Sequence, residues 1–358
     1  MANSIFILTN TLKTGGAEKQ SIYLFNTLCE QYKVNLIVFY GDQVDSRMLN
    51  VVNNYNKHNV IYLDGSHARK ALFLYKLFKE NRDSICVSYL ATTNAINAFI
   101  GLLAGVRIRI GGIRNSQYNW FKLALQRVLH NHFLTLSVFN NNVGYEILSS
   151  NGFNAEKGVV IHNCIEVPVP IKFNISPNPI VILSVGRFVE QKDYITAIKA
   201  ISLLNGRCDF KYIIVGQGHL EKELRQVALS EGISQNIQFV INPTEVDSYF
   251  KQAHIYLSTS TFEGLSNSIM EAMSFGLPVV ATNVGDNKQL VKDGLTGFLL
   301  PPKDVDLIAD KLVYLINNPK DRGDFGQNGY NHIKSNFSIE EFTNKYINLI
   351  ESLMNEKK

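Results

Sequence analysis

The sequence predicts an α/β protein made of two similar domains in tandem, each a doubly wound parallel sheet. Three observations carry this. Short aliphatic and β-branched runs alternate with stretches of helical periodicity, the alternation breaks once at a proline-rich segment, and it then restarts with the same rhythm. A chain of 358 residues, 46% hydrophobic and 18% charged, is long enough for two separate cores.

In the first half the strands are SIFILT, VNLIVFY, NVIYL, SICVSYL, VRIRIGG, HFLTLSV and GVVIH, with helices expected over residues 17–30, 68–81, 92–105, 118–130 and 141–151. Residues 167–179, VPVPIKFNISPNP, hold four prolines and read as an extended linker. Strands then resume as PIVILSVGR, DFKYIIVG, NIQFVI, HIYLST and PVVAT. The expected divisions are 1–170 and 171–337. A tail over 338–358 opens with the capping-box pattern Ser338, Ile339, Glu340, Glu341 and forms one amphipathic helix packing back toward the first domain. Tandem sheets of this kind hold ligands in the cleft between them, outside the carboxyl ends of the strands.

Composition excludes several classes. No apolar run is long enough to span a bilayer, and MANSIFILTN lacks the basic region and cleavage site of a signal peptide, so a cytoplasmic protein is expected. Cys29, Cys86, Cys164 and Cys208 have no paired spacing, which points to buried thiols rather than zinc ligands or disulfides. Through Ile175 the chain holds 17 Lys and Arg against 10 Asp and Glu, and the remainder 18 against 21. The basic half suits a phosphorylated acceptor or an anionic membrane surface. Without a concentrated basic run interleaved with aromatics, nucleic acid is not expected.

The chemistry concentrates in TFEGLSNSIMEAMSFGLPVVAT, residues 261–282. On one helix Glu263 and Glu271 would lie about 12 Å apart along its axis. Gly264 instead leaves Glu263 in the loop and Glu271 on the helix, with the free amides of Leu265, Ser266 and Asn267 at a helix start that suits a phosphate. Gly276 and Pro278 end that helix. The competing reading makes Ser268 and Glu271 a capping box and Glu263 a solvated loop charge.

Four further motifs follow strands or precede helices. Gly15 and Gly16 open the first helix, either as a ligand-approaching loop or as a plain turn. Arg187, after Ser184-Val185-Gly186, and Lys192 are cations that could clamp a diphosphate or simply be solvated. Gly216 and Gly218 form an incomplete dinucleotide fingerprint, which suggests close backbone contact with a nucleotide and argues against a standard NAD site. Asp304 and Asp306 imitate a metal signature, but their position before an apolar-periodic helix makes Asp304 an N-cap, and no metal is expected. His130, His132, His162, His219 and His254 are scattered and read mostly as structural.

Taken together, these motifs resemble the family 4 retaining glycosyltransferases of the GT-B fold. The resemblance rests on Gly15-Gly16-Ala17-Glu18, on Gly186, Arg187 and Lys192, on Glu263 and Glu271 with the Glu-Ala-Met run, and on Gly294, Gly297 and Pro301. It implies that Arg187 and Lys192 bind the donor diphosphate, helped by the Gly16 backbone and the amides after Gly264. Glu271 would hold the ribose, and Glu263 the donor sugar. Catalysis would need neither metal nor other cofactor. The partners implied are a nucleotide-sugar, as a UDP-sugar, and a glycan or lipid-linked glycan acceptor bound by residues 1–170, with residues 171–337 binding the nucleotide-sugar. The work would be surface-polysaccharide synthesis, peripheral on the cytoplasmic face of the inner membrane. Gly285-Asp286-Asn287-Lys288-Gln289, Ile241, Asn163-Cys164 and Arg114 depart from common family residues, Arg114 standing where a histidine often flanks the donor sugar. The alternatives on the same fold are a nucleotide-sugar epimerase, a phosphorylase or a non-catalytic nucleotide-sugar binder.

Overall fold

Strands buried on both faces lose the polar alternation of a half-exposed sheet. IFILT and ICVSY show this, being buried at every position. In the computed structural model, which describes residues 4–13, 15–115, 118–168 and 179–356, all the strands within the two sheets run parallel. The chain divides into two units, Met1–Cys164 with Ile339–Lys358, and Ile165–Ser338. Most of the proline-rich segment, residues 169–178, lies outside the described residues.

The first unit carries β1 (Ile5–Thr9), β2 (Val34–Val38), β3 (Val60–Tyr62), β4 (Ile85–Tyr89), β5 (Ile108–Ile113), β6 (Leu136–Phe139) and β7 (Gly158–Val160), in the order β3-β2-β1-β4-β5-β6-β7. The helix Gly16–Leu28 and the C-terminal helix Ile339–Glu356 cover one face. Phe342, Tyr346, Ile350 and Leu353, at helical spacing, enter the core beside Ile22 and Phe25. Thr27 and Thr343 join the two helices through their hydroxyls at 2.8 Å.

The second unit carries β8 (Ile180–Val185), β9 (Phe210–Gly216), β10 (Ile237–Ile241), β11 (Ile255–Ser258), β12 (Val279–Thr282) and β13 (Gly297–Leu300), in the order β10-β9-β8-β11-β12-β13. Ile182, Ile214, Leu257 and Val280 line one core of this sheet, and Leu183, Tyr256 and Val279 the other.

Three details differ from the sequence reading. HFLTLSV is not one strand, because Leu129–Phe133 continues the preceding helix as a π turn and β6 starts at Leu136. The Arg109 guanidinium donates 2.9 Å to the Phe133 carbonyl and so satisfies one acceptor at the end of that turn. GFLL, too short to signal, forms β13. A further helix, Ser46–Val51, is capped by Asp45, whose carboxylate accepts 2.9 Å from the Arg47 amide.

The helix Pro319–Asn336 packs on the helix Asn267–Ser274 through small residues. A β-carbon at Gly326 would lie 2.0 Å from the Gly276 carbonyl oxygen. Gly326→Val therefore forces two backbones apart and should cost about 1–3 kcal/mol in urea unfolding. An unchanged midpoint would show that this approach is not required.

His130 is fully buried, its Nδ1 2.9 Å from the Ser137 hydroxyl and its Nε2 2.9 Å from the Asn154 carbonyl. A carbonyl only accepts, so Nε2 carries the proton and Nδ1 accepts from Ser137. Burial lowers its pKa, as it does for His254 and His332. In the unfolded chain these histidines bind protons more readily, so the stability they confer is complete above about pH 6.5 and is lost as pH falls below it. Urea midpoints should decline from pH 7 to pH 5, and less steeply in His130→Gln.

Candidate functional site

In the second sheet β8 lies between β9 and β11, so chain order reverses between β8 and β11. Such a reversal opens a crevice outside the carboxyl ends of the two strands. The loops leaving β8 and β11 border it, and they are stitched to each other. Thr259 donates its hydroxyl to the carbonyls of Lys192, at 3.1 Å, and Asp193, at 2.8 Å. Gln191 donates its side-chain amide to the Phe262 carbonyl at 2.7 Å and receives the Thr261 amide at 2.8 Å. Asp193, held left-handed at φ 46°, turns the chain into the helix Tyr194–Ser202 and caps it by accepting from Thr196.

This stitching brings Lys192 to Glu263. The ammonium donates to Glu263 Oε1 at 2.5 Å, and the Ser260 hydroxyl donates to the same oxygen at 2.7 Å. Glu263 is 7% exposed, so its charge has largely left water and depends on these two donors. Arg187, one turn earlier, is exposed and makes no side-chain hydrogen bond or ion pair among the described residues.

The next turn holds the carboxylate's backbone. Gly285, at φ 56°, brings its chain so close that a β-carbon would lie 1.9 Å from the Glu263 carbonyl oxygen, and the Asp286 amide donates to the Gly264 carbonyl at 2.8 Å. Beyond Gly264 the helix Asn267–Ser274 begins with Ser266 as N-cap and no side-chain cap bond. The capping box of Ser268 and Glu271 is not formed, because Ser268 already lies inside the first turn. Among the described residues the amides of Leu265 and Ser266 donate to no protein acceptor. At the far end Gly276, at φ 72°, closes a Schellman turn in which the Leu277 amide donates to the Ala272 carbonyl at 3.0 Å.

Both carboxylates act on one buried hydroxyl. Tyr256, on β11, is raised in pKa by burial and further by the negative charges of Glu271 and Glu263. Its hydroxyl donates to the Val185 carbonyl at 3.2 Å, at the end of β8. Tyr194 is likewise raised by burial, by Tyr256 and Tyr212, and by Glu263. The charge on Glu263 thus disfavours ionisation of both buried tyrosines. Gly216 ends β9 against the same loop, where a β-carbon would lie 1.9 Å from the Gly186 carbonyl oxygen. Its close approach is to the protein's own backbone beside Arg187.

Gly15, Gly16 and Arg114 belong to the first unit. Its sheet reverses order between β1 and β4, and the helix Gly16–Leu28 starts beyond β1 with Gly15 as its N-cap. Leu90, directly after β4, is held at φ 76°, an uncommon state for a large side chain. Arg114 follows β5, donates to Asn163 Oδ1 at 2.9 Å and to the Tyr346 hydroxyl at 3.3 Å, and stacks 4.5 Å over the Tyr89 ring. Asp304 accepts from the Leu307 amide at 3.1 Å and caps the helix Val305–Asn317.

Sequence reasoning missed Thr259, Ser260, Gln191, Tyr256 and the role of Gly285. The run Ser258-Thr259-Ser260-Thr261 at the end of a strand was the available signal, since hydroxyls there bond to neighbouring backbone.

The two doubly wound sheets define the class as the GT-B fold. Anabaena HepE in complex with UDP superposes with a TM-score of 0.82 at 18% identity over 98% of this chain and all of that one, and its complex with UDP-glucose with 0.79. Residues 169–332 match the family model described as glycosyl transferases group 1. Over 98% of this chain and 99% of its own length, the Campylobacter jejuni GalNAc-alpha-(1->4)-GalNAc-alpha-(1->3)-diNAcBac-PP-undecaprenol alpha-1,4-N-acetyl-D-galactosaminyltransferase is 26% identical. The Escherichia coli UDP-Gal:alpha-D-GlcNAc-diphosphoundecaprenol alpha-1,3-galactosyltransferase is 24% identical over 79% of this chain and 80% of its own. Fold and relatives together support a GT-B glycosyltransferase.

Removing Lys192 strands a nearly buried carboxylate. Lys192→Met should lower unfolding stability by about 1–3 kcal/mol, and Glu263→Gln in that background should recover part of the loss. Strictly additive effects in the double-mutant cycle would show that the pair is not coupled.

Proposed function

We propose that this protein transfers a hexosyl or N-acetylhexosaminyl residue from a UDP-sugar to a glycan or lipid-linked glycan acceptor, with retention of anomeric configuration, in surface-polysaccharide synthesis. The observation that carries the reading is the Lys192–Glu263 pair at the β8/β11 reversal, beside an uncapped helix N-terminus. A cation, a fixed carboxylate and the Leu265 and Ser266 amides, which donate to no protein acceptor among the described residues, are what a sugar diphosphate requires: positive charge for the phosphates and an acceptor for sugar hydroxyls. The UDP and UDP-glucose complexes of HepE and the undecaprenol-linked acceptors in the names of the two relatives support the choice of donor and acceptor.

Arg187 and Lys192 bind the donor diphosphate in this scheme, with the Leu265, Ser266 and Asn267 amides. Glu271 takes the ribose, and Gly216 keeps the Gly186–Arg187 backbone in place. Glu263 orients the donor sugar. As the glycosidic bond breaks, negative charge grows on the diphosphate, and Arg187 and Lys192 stabilise it without a metal. The leaving phosphate accepts the acceptor hydroxyl's proton, and the sugar is delivered on the face that the diphosphate leaves. Gly15, Gly16 and Arg114 serve donor and acceptor from the first unit. The protein works at the cytoplasmic face of the membrane.

Calorimetry with UDP, GDP, ADP and NAD tests this. UDP should bind, and Arg187→Ala should weaken it at least tenfold, about 1.4 kcal/mol. Binding of NAD alone, or an unchanged UDP affinity in Arg187→Ala, would contradict the diphosphate clamp.

A further inference from the structure

An exposed aromatic surface lies in the first unit and takes no part in the site above. Trp120 is 80% and Phe121 63% exposed, and Leu125 and Val128 are exposed on the same helix, Trp120–Val128. At about 100° per residue these four fall within an arc of roughly 140°. The opposite side is anchored: Gln126 is buried and Leu123 packs beside Phe139 and Phe153. The apolar arc is therefore turned to solvent by the packing of the other side, and Arg127 and Lys122 flank its two edges. Phe99, packed at 5.1 Å on Phe133 just beyond the helix, and Leu103, 76% exposed, extend the apolar surface onto the preceding helical segment.

Charge selects the partner. From Ser84 to Tyr145 the sequence has no Asp or Glu, while Arg107, Arg109, Arg114, Lys122 and Arg127 fall within it. Arg109 and Arg114 are turned into the fold by their hydrogen bonds, and Arg127 also donates to the Asn151 carbonyl at 3.2 Å. An exposed Trp-Phe face flanked by cations, on a stretch of sequence without carboxylates, matches the boundary between anionic headgroups and acyl chains, where indole and phenyl rings partition and Lys and Arg meet phosphates. Among the described residues no helix is long and apolar enough to cross a membrane, so such contact would be peripheral.

We propose that the Trp120–Val128 helix, with Phe99 and Leu103, seats this protein on an anionic bilayer surface. The inference rests on the reading of a lipid-linked acceptor and deepens it by naming the face that meets the lipid.

Trp120 is the only tryptophan of the chain, so its fluorescence reports this face alone. Vesicles of phosphatidylglycerol and phosphatidylethanolamine should shift its emission to the blue and sediment the full chain, whereas phosphatidylcholine vesicles should do so at least tenfold more weakly. Phe121→Ser/Val128→Ser and Lys122→Glu/Arg127→Glu should each reduce sedimentation at least tenfold while leaving UDP affinity within twofold of wild type and the urea unfolding curve of the whole chain unchanged, which separates loss of docking from misfolding of either unit. Sedimentation with an unshifted Trp120 emission would overturn the proposal by placing contact elsewhere, as would absence of binding to anionic vesicles at low salt. A concentration-dependent dimer abolished by Phe121→Ser/Val128→Ser would overturn it by assigning the face to a second copy. If UDP fails to bind wild type while the vesicle results hold, the donor reading falls and the docking surface stands.

Discussion

A carboxylate taken out of water needs a cation and a hydroxyl, and the second unit is arranged around meeting that need at Glu263. Lys192 and Ser260 converge on one oxygen. They reach it because β8 and β11 are neighbours in the sheet although far apart in sequence, and because Thr259 and Gln191 tie their loops together. Gly285 then lets a third loop close over the Glu263 backbone. The glycines at 216 and 285 are fixed by distance to carbonyl oxygens, so their side-chain-free backbone is a packing requirement of the site.

The first unit solves a different problem. Its sheet needs a cover for the face around β1 and β4, and a segment from the end of the chain supplies part of it. Phe342, Tyr346, Ile350 and Leu353 complete the core, while the Tyr346 hydroxyl accepts from Arg114. A residue at the end of a central strand is thereby tied to the last helix of the chain. Gln20, on the helix Gly16–Leu28, is tied instead to the segment after β7, its side chain donating 2.7 Å to the Cys164 carbonyl and accepting 2.9 Å from the Cys164 amide.

Much of this was legible in the sequence. Near-continuous Val, Ile and Leu runs marked all but one strand, most plainly the central ones, which are covered on both faces and carry no polar register to obscure them. Gly264 between Glu263 and Glu271 separated loop from helix correctly, and Gly276 marked the helix end. What the sequence withheld were contacts between distant segments. Ser260 and Thr259 read as an ordinary polar strand end, and only the adjacency of β8 and β11 turns them into partners of Lys192 and Glu263. Gly285 stood in a stretch noticed for its departures from a family pattern, and its reason is a clash distance that no local pattern encodes. HFLTLSV misled because a short apolar run fits a strand and a buried helix end equally well.

The direct test of the central claim is turnover of a UDP-sugar by wild type and Glu263→Gln, read as release of UDP to water or acceptor, beside UDP affinity of both. The glutamine keeps size and hydrogen bonding but loses the charge that Lys192 and Ser260 hold in place. Release should fall at least a hundredfold, about 2.7 kcal/mol, with UDP affinity within a few-fold of wild type. Equal release by both proteins would contradict the account and take the Lys192–Glu263 pair out of the reaction.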